Sequence, residues 1–163
     1  GEWQMIYQVV KHVDDTNEVE EELLKQLAMF TKITGRNPTH IDSHQHVHQR
    51  PELKPVFLRI AAALDIPLRN CGEKIRYNGF FYGQNEDGTT KAENISVAGL
   101  NRIINSLEPG ITELACHPAF GQDINTMYAK ERETELQTLC DPSIKDLLKR
   151  EMIELVSFKT VRL

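Results

Sequence analysis

Stripes of apolar residues at helical spacing, interleaved with short apolar runs of strand length, recur along this chain and narrow its fold to a parallel α/β architecture. Val19, Leu23, Leu27, Phe30 and Ile33 mark one amphipathic helix ending at Gly35, and Asn17 with Glu20 has the spacing of a capping box at its start. Residues 38–43 read as a short extended segment. Pro51 then opens a second helix carrying Leu53, Val56, Phe57, Ile60 and Leu64 on one face. A second short strand is expected within 65–70, a long loop punctuated by Gly79, Gly83 and Gly88 over 72–93, a third helix over 96–107 and an apolar strand over 111–116. Two closing helices, 129–140 and 141–150, lead to a last strand around 155–158. In such alternating folds the reactive groups gather at the C-terminal ends of the strands.

The 163 residues read as one domain, 1–163, large enough to bury a core. A net charge of −5 and the lack of any Lys/Arg run exclude a nucleic-acid backbone as partner. No stretch of about eighteen apolar residues and no basic-then-apolar leader is present, so no membrane partner and a cytoplasmic location are expected. Cys71, Cys116 and Cys140, an odd set without CxxC spacing, read as reduced thiols. The apolar run from Trp3 to Val10 has nothing before it to pack on, and further chain upstream is expected.

Chemistry concentrates in two places. His40, Asp42, His44, His46 and His48 fall on alternate positions, which on a strand would share one side and offer imidazoles and a carboxylate to a divalent cation. With a rise of about 3.3 Å per residue, at most two of them can share an ion. His44 and His46 are the better placed; His48 falls in the turn before Pro51, and His40 reads as a supporting or core residue. The bland alternative is a set of loop histidines making hydrogen bonds. The second place is His117, which ends an apolar strand and is held out of helical geometry by Pro118. It reads as a general acid, against the alternative of an ordinary turn histidine. Cys116 beside it belongs to the apolar strand and reads as inert. Arg69 either pairs with Asp42 or holds a substrate. Phe80, Phe81 and Tyr82 offer aromatic faces suited to sugar rings, or else anchor their loop to the core.

The stretch from Gly35 through His40-Ile41-Asp42-Ser43-His44-Gln45-His46-Val47-His48, with Leu114-Ala115-Cys116-His117-Pro118-Ala119-Phe120 downstream, resembles the signature of the YdjC-like carbohydrate deacetylases. The likeness runs over nearly the whole chain, from Trp3 through Ile66-Pro67-Leu68-Arg69 and beyond. It implies a distorted TIM-like barrel, incomplete here, and hydrolysis of acetyl groups from small N-acetylated sugars of the chitobiose type. It also implies one divalent metal, Mg or Zn, held by an Asp and two His, with His44 matching the second of these and His46 beside it. The family's Asp-Asp motif and first ligand His have no counterpart in this chain, since Asp14-Asp15 lacks the Phe-Gly that follows the motif. The expectation is therefore a fragment inactive alone, with an open strand edge that favours a homodimer. In the whole enzyme His117 would protonate the leaving amine and Asp42 would orient a neighbouring imidazole, while Arg69, Phe81 and Tyr82 would bind the sugar. The rivals are a metal-dependent phosphoesterase and a non-catalytic sugar- or metal-binding remnant.

Overall fold

The computed structural model describes residues 16–85, 87–123 and 126–161, which form an α/β structure with a two-stranded parallel sheet and several helices. The apolar run 3–10 and the Asp14-Asp15 pair lie outside the described residues. Two compact units are present, Gly1–Cys71 with Phe158–Leu163, and Gly72–Ser157.

In the first unit, α1 (Thr16–Thr34) follows the expected stripe only in part: Val19, Leu23 and Leu27, half-buried, pack on a core of Ile41, Leu53, Val56, Phe57, Ile60, Ala61 and Leu68, whereas Phe30 and Ile33 are exposed. The helix already includes Thr16, so Asn17 lies inside its first turn. Glu18 in the first turn and Lys32 in the last suit the helix dipole. Gly35, at φ 69°, closes the helix by donating its N–H to the Thr31 carbonyl at 2.9 Å. Pro51 sits in the preceding turn, and α2 (Lys54–Ala63) starts with Pro55 in its first turn. The strands expected at 38–43 and 65–70 shrink to a single parallel bridge, Ile41 to Leu68. Ile41 N–H donates to the Pro67 carbonyl and Arg69 N–H to the Ile41 carbonyl, each at 2.9 Å. A longer ladder is blocked because Pro67 has no N–H to give, and Asp65 and Asn70, both left-handed at φ 53° and 52°, turn the chain at either end.

In the second unit, β1 (Ile75–Asn78) pairs in parallel with β2 (Ile111–Leu114), in register from Ile75 with Ile111 to Asn78 with Leu114. Between them lies α3 (Val97–Asn105), capped by Ser96, whose hydroxyl accepts the Gly99 N–H at 3.0 Å. Gly99 is required there, since a Cβ would fall 2.3 Å from the Glu93 carbonyl oxygen. α4 (Ala129–Leu139) and α5 (Pro142–Arg150) follow, the latter capped by Asp141, which accepts the Ser143 N–H at 2.8 Å. Phe81, Ile95, Leu100, Ile103, Ile104, Ile144 and Leu147 make the core. The strand expected around 155–158 does not form; Leu155 and Val156 are exposed there. No helix among the described residues is long and apolar enough to cross a membrane.

Candidate functional site

The histidine run does not continue as a strand. Ser43 is still extended, at φ −139° and ψ 145°, but His44–Gln49 coils into a 3-10 turn in which Gln45 and His46 are left-handed at φ 53° and 54°. The alternation expected of a strand is corrected accordingly, because a coiled segment brings together residues that a strand would spread apart. The donor atoms of Asp42, His46 and His48 all lie within 4.8 Å of one another, whereas His44 is exposed and outside that cluster. Donors of a tetrahedral ion with bonds of about 2.1 Å stand roughly 3.4 Å apart, so a small closure would bring these three onto a cation. Two imidazoles and a carboxylate are the right donor types for zinc.

His48, expected to lie beyond the site, is its most enclosed member, with no exposed surface. Its Nε2 lies 2.9 Å from the Arg69 carbonyl and its Nδ1 2.6 Å from the Ser43 hydroxyl. A carbonyl only accepts, so Nε2 carries the proton and Nδ1 accepts from Ser43. Ser43 Oγ in turn accepts the His48 N–H at 3.1 Å. Burial pushes the imidazole pKa below its usual 6.5, outweighing the Arg69 carbonyl, which favours the charged ring. Unfolding exposes an imidazole that binds a proton below about pH 6.5, while the folded ring resists until lower pH. In the metal-free chain this contribution is therefore complete above about pH 6.5 and is lost as the pH falls, at up to about 1.4 kcal/mol per pH unit. Urea midpoints from pH 7 to 5 should fall more steeply in the parent chain than in His48→Gln; equal slopes would reject this role.

Arg69 adopts the first of its two expected roles, its Nη1 donating to Asp42 Oδ2 in an ion pair. A cation reaching Asp42 must compete with that guanidinium. Asp42 also borders an open cleft of about 300 Å³ lined by Leu23, Leu27, Phe30 and Pro38. His40 stacks on Phe158 with ring centroids 4.4 Å apart, in keeping with a supporting role.

In the second unit, the chain passes from β2 through buried Ala115 to His117, which is exposed. The His117 backbone is held at both ends: its N–H donates to Glu135 Oε2, and its carbonyl accepts from Arg132 Nη1 at 3.0 Å. Tyr128 donates its hydroxyl to Glu135 Oε1 at 2.5 Å and accepts the Gly83 N–H at 2.6 Å. Burial, then the Glu135 carboxylate, pushes the Tyr128 phenol far above its usual range, so it remains a donor. Tyr82 stacks on Tyr128 with centroids 4.8 Å apart, and the His117 ring stands steeply against both, at 5.6 Å and 6.0 Å.

Phe81 is 1% exposed at the centre of the core, which corrects its expected place against a sugar. Its neighbours Phe80 and Tyr82, at 76% and 39% exposed, turn outward. Tyr128 and Glu135, which hold this arrangement together, are not marked by any motif in the sequence. The available signal is that Glu131, Glu135 and Thr138 recur at intervals of four and three, a polar stripe on the buried face of α4, continued back to Tyr128 just before the helix.

Residues 3–150 match the family model described as YdjC-like protein. Proteins of Yersinia pestis (strain Pestoides F) and Yersinia pseudotuberculosis serotype O:1b (strain IP 31758), both named chitooligosaccharide deacetylase, are 33% identical to it over 160 residues, covering 88% of this chain. The chain spans 61% of the length of these relatives. A crystal structure from Enterococcus faecalis V583, of a protein provisionally named for cellobiose-phosphate cleavage, superimposes with a TM-score of 0.67 at 26% identity, over 91% of this chain and 62% of that one.

Proposed function

The chain belongs to the YdjC-like protein family, and from that premise we propose that it is part of a metal-dependent carbohydrate deacetylase acting on small N-acetylated sugars of the chitobiose type. The observation that carries the metal reading is the convergence of Asp42, His46 and His48. Asp42 and His46 would hold one divalent ion, zinc or magnesium, and His48 would join through Nδ1 once the Ser43 hydroxyl turns away, at the cost of one hydrogen bond, about 1 kcal/mol. Such an ion polarises an amide carbonyl and lowers the pKa of a bound water. His117, with its backbone fixed and its ring exposed, protonates the leaving amine. Tyr82 offers the sugar a partly exposed ring, and Arg69 keeps Asp42 neutralised until a cation arrives. The parallel pair β1 and β2 is read as a segment of a distorted TIM-like barrel. The names of the Yersinia relatives support the reaction class.

Calorimetric titration of zinc into the chain tests the site. One-to-one binding is expected, and His46→Ala should weaken it by more than the roughly 10–100-fold that loss of an outer partner costs, while His44→Ala leaves it unchanged. Dependence on His44 in place of His46 would restore the alternating-strand reading. Acetate release from diacetylchitobiose then tests the reaction. Zinc bound without acetate would favour the second reading, a sugar- or metal-binding protein without turnover.

A further inference from the structure

We propose that Glu135 and Tyr128 are positioning residues for His117, fixing the proton donor and the Tyr82 ring as one unit; this rests on the reading of His117 as the acid. Glu135 has no exposed surface, yet both of its oxygens have donors from functional surroundings: Oε2 takes the His117 N–H and Oε1 the Tyr128 hydroxyl. The Tyr128 oxygen accepts the Gly83 N–H, so one continuous chain of hydrogen bonds runs from the loop after β1, through Glu135 of α4, to the loop after β2. Those are the two loops that carry Tyr82 and His117, beyond the C-terminal ends of neighbouring parallel strands. A buried carboxylate is costly unless its acceptors are filled, and here the groups that fill them are the backbone of the candidate acid and a phenol stacked on the candidate sugar platform. Gly83 fits tightly into the arrangement: a Cβ there would lie 3.1 Å from the Tyr128 hydroxyl and 2.6 Å from Ile95 Cδ1.

Nuclear magnetic resonance of the full chain tests the proposal without needing turnover. The His117 amide proton should resonate far downfield, as expected of a bond to a carboxylate, and the imidazole signals should carry ring-current offsets from Tyr82 and Tyr128. In Glu135→Leu both features should collapse toward those of an exposed histidine, Glu135→Gln should retain most of the imidazole offset because its amide oxygen still accepts, and Tyr128→Phe should lose part of it. Thr138→Val is the control: it removes a 2.7 Å bond to the Ile95 carbonyl on the same helix face and should leave His117 unmoved. Unchanged His117 signals in Tyr128→Phe and Glu135→Leu would overturn the proposal, as would a Thr138→Val shift as large as theirs. If Glu135→Leu does not fold, Tyr128→Phe decides alone. Acetate release by the whole enzyme carrying His117→Ala tests the acid reading separately, so a failure of that reading is told apart from a failure of the positioning.

Discussion

Phe81→Ala should cost the protein about 3–5 kcal/mol of stability, the range for removing a fully buried aromatic ring. The ring is enclosed with Ile95, Leu100 and Ile104, on which α3 and α5 also converge, and its removal leaves a cavity that two helices must close. Tyr82→Ala, one residue on, should cost far less, because that ring is 39% exposed. Urea unfolding of both variants checks the pair. A loss below about 1 kcal/mol for Phe81→Ala would remove the ring from the core and return it to the list of surface aromatics.

If His117 is the acid proposed above, acetate release by the whole enzyme should fall by about 100- to 10,000-fold in His117→Ala, the usual contribution of a positioned proton donor. The zinc affinity should stay as in the parent chain, since the donors proposed for the ion are Asp42, His46 and His48. A loss confined to kcat marks a group acting in the transition state, whereas a rise in KM alone would mark a binding residue. A parent-like rate in His117→Ala would assign the proton to another group.

The helices were legible because amphipathic spacing is a local property: Leu100, Ile103 and Ile104 bury the face that their spacing defines, and Val19, Leu23 and Leu27 half-bury theirs. β1 was not, since Ile75-Arg76-Tyr77-Asn78 is short, half polar and lies in a Gly-rich stretch; only its partner Ile111–Leu114 makes it a strand. The chemistry of the histidine run was legible, its geometry less so. Choosing His44 over His48 assumed a strand, and the two left-handed residues Gln45 and His46 undo that assumption in a way that no period of two reveals. The place of His117 just past an apolar strand was legible. Its supports were not, because a glutamate on a helix normally reads as solvated surface, and only tertiary packing turns Glu135 inward.

The parallel pairing of β1 with β2 also bears on how the second unit comes to exist. A parallel pair cannot be closed by a tight turn, so Ile75 meets Ile111 only after the intervening segment, α3 included, has been organised and its loop entropy overcome. Contacts this distant in sequence slow a folding reaction, while α1, α4 and α5 need only neighbouring residues. Closing the sheet beside His117 therefore carries a loop-entropy cost that the helices do not, and changes in the 79–110 connection should act on the folding rate of this unit more than changes within α4 or α5.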